Sequence, residues 1–524
     1  MKALFPVLRK PRVDRGFLVP VLGISLLASS VFSQSYWPQF RGPTGHGISP
    51  TARPPTTLGK AEEVWSVEIP PGHSSPCVWG DRIFLTTFAE GKLECRAHDR
   101  SGGKLVWARA VPAEKVERTH SFSNPAAPTP AADAERVIFY FGSFGLVAYT
   151  HEGKLAWEQK LPAPVSRGNY GSASSPVLVG DLVIQSLDTD EGGSRLLAFK
   201  RATGEKAWET PRPLFSSGWS TPVVWTRAGK SQIVLLGSKK LTAYEPTDGK
   251  ELWSVAGFPL ETAPSPAFDE ERVFACSTGI GGRSSPKFEW AGWGELVQFD
   301  ANKDGKMEPA EIPESFRLTQ RPELPEGHPG RLLPFEVRGM LAGMDKDKDG
   351  AVTKEEWDNA LGEFEQMDAP VLMALRPGGA EVTETNRIDW KIARGIPEIP
   401  SPLCYRGKLF LVRDGGLLQC LDAATGSVLY QERLGVSGGY AASPVAADDR
   451  VYLCSQSGTV TVIDARSNQL KVLSRNALGE KIAATPAMVD DQLYVRTEKH
   501  LFAFGASKTA PPSPSTLSAA DAAK

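Results

Sequence analysis

Ser175-Pro176-Val177-Leu178-Val179-Gly180-Asp181-Leu182-Val183-Ile184 opens the unit that decides the fold. A short apolar run follows the proline, a Gly-Asp turn breaks it, and a second apolar run returns. A third run comes next, Arg195-Leu196-Leu197-Ala198-Phe199. The turn Thr203-Gly204 then leads into an outer stretch, Glu205-Lys206-Ala207-Trp208. Four short strands separated by turn residues are the content of one propeller blade.

The unit recurs. Ser/Thr-Pro pairs mark it at Ser75-Pro76, Thr129-Pro130, Ser175-Pro176, Thr221-Pro222, Ser265-Pro266, Ser401-Pro402, Ser443-Pro444 and Thr485-Pro486. The intervals are 54, 46, 46, 44, 136, 42 and 42 residues. A period of about 40–50 residues is the signature of a repeat architecture. Outer-strand aromatics keep the same beat at Trp107, Trp157, Trp208, Trp253, Trp390 and Tyr430 and are expected to pack blade against blade. The last unit stops after its third run, Leu501-Phe502-Ala503-Phe504, while a spare strand, Glu63 to Ile69, precedes the first pair. Pairing the two closes a ring and removes an open sheet edge. The expected fold is an all-β eight-bladed propeller with a small α-helical EF-hand insertion in the long interval.

The insertion carries two twelve-residue acidic loops. The first runs from Asp300 through Asn302, Asp304, Gly305, Lys306 and Glu308 to Glu311. The second runs from Asp345 through Asp347, Asp349, Gly350, Ala351 and Thr353 to Glu356. Oxygen side chains at positions 1, 3 and 5, Gly at 6 and Glu at 12 are the pattern of an EF-hand calcium loop. Ca²⁺ takes six to eight hard oxygens; the glycine allows the sharp turn, and Lys306 and Ala351 offer only backbone carbonyls at position 7. Glu308 and Thr353 stand at position 9, and Glu311 and Glu356 are expected to chelate with both oxygens. Met307 and Val352 occupy position 8, where paired loops meet in a short β bridge. Apolar runs at 332–344 and 357–367 are expected to be the flanking helices.

Charge is balanced, with 59 Lys and Arg against 61 Asp and Glu, which excludes a broad basic surface for nucleic acid. Lys2, Arg9, Lys10, Arg12 and Arg15 precede an apolar run from Gly16 to Phe32, the pattern of a secretory signal cleaved after Ser33. A retained anchor is the other reading of that run. The protein is expected in the periplasm or cell envelope, as a monomer with no membrane span after cleavage. Six cysteines fall on first strands (Cys77, Cys404), second strands (Cys276, Cys454) and third strands (Cys95, Cys420). First and third strands lie about 9–10 Å apart, beyond the roughly 7 Å that a disulfide spans. All six are expected to be free and buried.

The expected organisation is a signal peptide at 1–33, an N-terminal segment wrapping the outside at 34–62, and blades at 63–278 and 370–505. The EF-hand pair takes 279–369 and a disordered tail 506–524.

The stretch Ala243-x5-Gly249-x3-Trp253 and the opening Trp37-Pro38-Gln39-Phe40-Arg41-Gly42-Pro43 resemble the quinoprotein-like, PQQ-binding-like (BamB-like) β-propeller repeat proteins. The resemblance covers roughly 36–278 and 370–505. Together with the signal pattern, the acidic loops and the lack of a compelling catalytic set, it implies an exported calcium-binding scaffold for a protein or glycan partner. The alternative it implies is a pyrroloquinoline quinone (PQQ)-dependent dehydrogenase using the propeller funnel. This chain departs from such dehydrogenases: it has neither adjacent cysteines nor a Cys-x-x-Cys-His haem site. Hydrolase chemistry at His73 and His120 is a third reading, and seven histidines without a ligand cluster disfavour zinc.

In an up-and-down blade the loop into the first strand and the loop between second and third strands share one face. His73, His120, Tyr170, Trp219, Arg394 and Tyr440 lie in those lead-in segments and are the candidate residues of a funnel mouth. Loops on a rigid scaffold are where binding resides.

Overall fold

The computed structural model describes residues 36–191, 193–212, 215–279, 293–319, 326, 337–338, 341, 344–345, 347–367, 370–377 and 388–506. The signal-peptide expectation at 1–33 lies outside the described residues, as does the expected tail beyond residue 506.

Eight antiparallel sheets of four blade strands each form the blades, the first extended to five strands by Tyr36–Trp37, and the described residues add a two-stranded sheet in the insertion. In the third blade Val177–Val179, Leu182–Leu187, Arg195–Lys200 and Lys206–Pro211 pair in sequence order. Its second strand is buried along its whole length, whereas the outer strand alternates exposed and buried positions. Middle strands have neighbouring blades on both faces and so read as continuous apolar runs. Every blade carries a register shift between its third and fourth strands, as at Ala198/Phe199 in the third. Such bulges sharpen the local twist and turn the outer strand.

The eighth sheet is Ala487–Val489, Gln492–Arg496 and His500–Phe504, completed by Glu63–Glu68 from the other end of the chain. Trp65 stands opposite Ala503 in this closing pair. The seam is reinforced by Arg496, which is buried and donates to the Ser74 and Thr86 carbonyls of the first blade.

The outer-strand tryptophans do pack blade to blade. The indole N–H of Trp65 donates to the Arg100 carbonyl, that of Trp107 to His151, that of Trp157 to Arg201 and that of Trp208 to Pro246. Each ring lies on a glycine of the next blade; a Cβ at Gly204 would come within 2.6 Å of Trp157.

The Ser/Thr-Pro pairs are more than strand markers. The Ser75 N–H donates to Thr129 Oγ1, Thr129 to Ser175 Oγ, Ser175 to Thr221 Oγ1 and Thr221 to Ser265 Oγ. The belt continues from Ser265 to Ser401, from Ser401 to Ser443 and from Ser443 to Thr485. All these bonds measure 2.9–3.0 Å and all are buried. Each hydroxyl satisfies a backbone donor that faces the neighbouring blade and has no ladder partner.

The N-terminal segment corrects the expectation that it wraps the outside. Trp37 pairs with Val78 of the first blade, and the Pro38 carbonyl accepts from Ala132 of the second. Gln39 accepts from the Leu178 N–H of the third, and the His46 ring stacks on Phe268 of the fifth at 4.7 Å. Arg41 donates to the Pro402 carbonyl at the sixth, and Gly47 and Ser49 bond Ala446 of the seventh. One short stretch that touches the innermost strands of six blades lies on the propeller axis. Only beyond it does the chain run outward, where Arg53 donates to Asp490 and Leu58 to Asn476. Lack of periodicity suited a wrapping segment equally well; the buried Trp37 and Arg41 are what make it a plug.

All six cysteines are free and buried. Among the described residues no helix is long and apolar enough to cross a membrane.

Candidate functional site

Two regions concentrate chemistry: one end of the lead-in loops and the acidic loops of the insertion. The insertion leaves the fifth blade after Val273–Ser277 and returns at Val371–Leu375, between second and third strands. It therefore emerges on the face of the lead-in loops.

Four aromatic rings from three successive lead-ins form a row there. His120 stacks on Phe122 at 4.9 Å between centroids and leans on Tyr170 at 5.2 Å. Tyr170 meets Trp219 edge-on at 5.8 Å. The row grades from solvent inward: Phe122 is 66% exposed and Trp219 only 7%. Backbone bonds hold it, with the His120 N–H on the Asn169 carbonyl at 2.7 Å and the Trp219 indole on the Gly171 carbonyl at 2.8 Å. Gly168, Asn169 and Gly171 all take positive φ around Tyr170. A non-glycine residue such as Asn169 in that region is held there by its surroundings.

Beside Trp219 is a recess of about 20 Å³ lined by Tyr140, Ser172, Ser174, Ser186 and Asp188 among others. Ser174 Oγ is buried there without a hydrogen-bond partner. The Ser172 hydroxyl donates to Glu117, whose other carboxylate oxygen is buried and unpartnered. Burial pushes the Glu117 carboxyl up to about 7, against the Ser172 hydrogen bonds that favour its charged form. Asp188 is committed elsewhere, in a two-pronged bond to buried Arg212 at 2.8 and 2.9 Å. Arg212 also stacks on Phe215, 3.6 Å from the ring centre.

The structure thus brings His120, Tyr170 and Trp219 together. Among the described residues no contact joins His73, Arg394 or Tyr440 to them. Burial, then the charges of Arg496 and Lys481, push His73 down to about 4, so it is neutral and has no carboxylate to orient it. Arg394 is exposed. Tyr440 is 2% exposed and belongs to the apolar core between the sixth and seventh blades. Glu117 was missed by the sequence reading. Its only signal was the 54-residue first interval, which lengthens the lead-in that carries it.

A quinone cofactor does not fit the recess. A space of about 20 Å³ holds one water, not a tricyclic ring. A tricarboxylate would also meet the carboxyl of Asp188, whose partner Arg212 is already engaged.

In the insertion, Lys306–Met307 pairs antiparallel with Val352–Thr353, with Met307 opposite Val352. Beneath this bridge Leu296, Met307, Ile312, Leu318, Val352 and Trp357 are buried in one apolar cluster. Described helices are Trp293–Leu296 and Lys354–Met367; most of the apolar run at 332–344 lies outside the described residues.

The two acidic loops share four bonds at matching positions. The Gly305 and Gly350 N–H groups each donate to the first aspartate, Asp300 or Asp345, at 3.0 Å. The Asp304 and Asp349 N–H groups donate to Asn302 and Asp347. Lys306 and Ala351 donate to Asp304 and Asp349. Glu308 and Thr353 donate to the closing Glu311 and Glu356. Lys303 and Gly305, like Lys348 and Gly350, take positive φ, which curls both loops inward. The remaining oxygens of Asp300 and Asp345 are buried without a hydrogen-bond partner. One oxygen from each of Asp345, Asp347 and Asp349 lies within 4.8 Å of the others. The Lys306 ammonium reaches across to Asp349 at 2.5 Å and holds that carboxyl below its usual range.

A family model described as outer membrane protein assembly factor BamB matches residues 59–208, 91–283 and 369–503, well over half of the chain. The chain belongs to the BamB family. The internal stretch that the family model leaves unmatched, 284–368, holds both acidic loops. No curated protein matches the chain. Among solved structures, BamB from Moraxella catarrhalis aligns over 86% of this chain and 98% of its own, at 11% identity and a TM-score of 0.51. That likeness shows the propeller fold. A europium-containing methanol dehydrogenase aligns over 90% of this chain and 98% of its own at 12% identity and a TM-score of 0.48. The quinohemoprotein alcohol dehydrogenase of Comamonas testosteroni aligns over 92% and 82% at 14% identity and a TM-score of 0.48.

Proposed function

We propose that this BamB-family propeller is an exported calcium-binding scaffold in the periplasm or cell envelope. Its lead-in face binds a protein or glycan partner, and residues 279–369 form an EF-hand pair at the rim of that face. The family's printed description, assembly of outer membrane proteins, supports the compartment and the binding role. The observation that carries the calcium assignment is the buried, unpartnered oxygen of the first aspartate in each loop, Asp300 and Asp345. A lone buried carboxylate oxygen is costly unless something coordinates it, and both loops aim one inward at the same position. Asp300, Asn302, Asp304, Glu308 and Glu311 would hold one Ca²⁺, with the Lys306 carbonyl. Asp345, Asp347, Asp349, Thr353 and Glu356 would hold the other, with the Ala351 carbonyl. The scaffold reading accounts for a lead-in face that, among the described residues, presents stacked rings and hydroxyls but no nucleophile oriented by a base.

Alcohol-dependent dye reduction after loading with PQQ and Ca²⁺ tests the choice between scaffold and dehydrogenase. Turnover above the cofactor-free level would overturn the scaffold reading; none is expected. Limited proteolysis with Ca²⁺ or chelator tests the loops, and the insertion is expected to be cut faster under chelation.

A further inference from the structure

We infer that the aromatic row and its recess form a carbohydrate site, in which a sugar ring lies on Phe122 and Tyr170 and one substituent enters the recess. This rests on the scaffold reading and names its partner class and its residues. Three observations meet here. First, Phe122 is the most exposed of the large apolar side chains, yet it is held by its stack on His120 and by its own N–H on the His120 ring. A rigid, exposed aromatic face costs little ordering on binding and offers its π-surface to the C–H face of a pyranose. Second, the recess is walled by hydroxyls, those of Tyr140, Ser172, Ser174 and Ser186. Ser174 Oγ has no partner, so an acceptor or donor on the ligand would satisfy it. Third, Glu117 lies behind the wall and accepts from the Ser172 hydroxyl, which orients that hydroxyl's lone pairs toward a donor on the ligand. A space of about 20 Å³ admits one small substituent, and its lining by hydroxyls and Asp188 suits a sugar hydroxyl better than an apolar peptide side chain. The turn at Gly168, Asn169 and Gly171 places Tyr170 edge-on against Trp219, which itself lines the recess.

The intact protein, titrated by saturation-transfer NMR and calorimetry with cellotetraose, maltotetraose and chitotetraose, tests this. At least one is expected to bind at micromolar to millimolar concentration, with transfer strongest to one ring. Phe122→Ala is expected to weaken it about tenfold or more, and Ser174→Ala severalfold. Phe122 is a surface residue, so melting temperature should stay unchanged and separate lost binding from lost folding. No binding of any of the three at millimolar concentration overturns the inference. So does binding that Phe122→Ala and Tyr170→Ala leave intact, or a peptide library that occupies the row while no sugar does. The calcium titration of the insertion reads the scaffold proposal separately, so the two can fail independently.

Discussion

Replacing Thr221 by valine deletes one hydroxyl of the buried belt and leaves the side-chain shape nearly intact. Its Oγ1 accepts the Ser175 N–H at 3.0 Å, and the two residues are 4% and 2% exposed. Water cannot replace the lost acceptor, so the cost is that of a buried unsatisfied amide, about 1–3 kcal/mol. No cavity term adds to it, because only oxygen becomes carbon. Thr203→Val is the control: Thr203 lies on an exposed turn, accepts Glu205 at 3.3 Å in solvent and should change stability by less than about 0.5 kcal/mol. Urea unfolding followed by tryptophan fluorescence and circular dichroism measures both, with the slope unchanged as the sign that only stability moved. If Thr221→Val costs no more than Thr203→Val, the belt is incidental geometry and the reasoning fails. A second junction far around the ring, Thr485→Val, should add to the first within about 0.5 kcal/mol.

Other expectations follow from the same geometry. Asp188→Asn leaves Arg212 buried without its counter-charge and should cost about 3–5 kcal/mol in urea unfolding; Asp188→Asn with Arg212→Met should recover part of it. Glu117 is held near 7 in the folded chain against an ordinary 4.5, so the folded state binds its proton more tightly. The stability this gives is complete below about pH 4.5 and is lost as pH rises through about 7, and Glu117→Gln should flatten that part of the melting profile. Trp37→Ala removes a fully buried ring from the axial plug and should cost about 3–5 kcal/mol while exposing the segment before Glu63 to protease.

The propeller was legible because its determinants are local and periodic. Polar turns and apolar runs recur in every unit, an outer-strand aromatic recurs in most, and the spare strand at Trp65 follows from counting. The belt of hydroxyls was hidden in plain view: Ser and Thr alternate freely before proline because only an Oγ is required, and its partner lies one blade away. The axial plug was not legible, since Trp37 and Arg41 carry no period and reach their partners across six blades. At the lead-in face three of the six residues picked from sequence, His120, Tyr170 and Trp219, come together, and His73, Arg394 and Tyr440 lie apart from them. Tyr440 and Tyr170 look alike in sequence, yet one is core and the other rim, because burial depends on how neighbouring lead-ins fold over each. Glu117 lay outside any motif, in a lead-in whose extra length was its single trace. In the acidic loops the short backbone-to-carboxylate bonds follow the sequence pattern position by position, since donor and acceptor both lie within twelve residues.

The central claim is that both loops of the insertion bind calcium. Calorimetric titration of the intact protein with Ca²⁺ tests it, with Asp300→Asn and Asp345→Asn as paired variants. Two binding events are expected in the wild type, each variant should lose one of them, and the double variant should lose both. A wild type that takes up no Ca²⁺, or a double variant that binds it as the wild type does, would contradict the account.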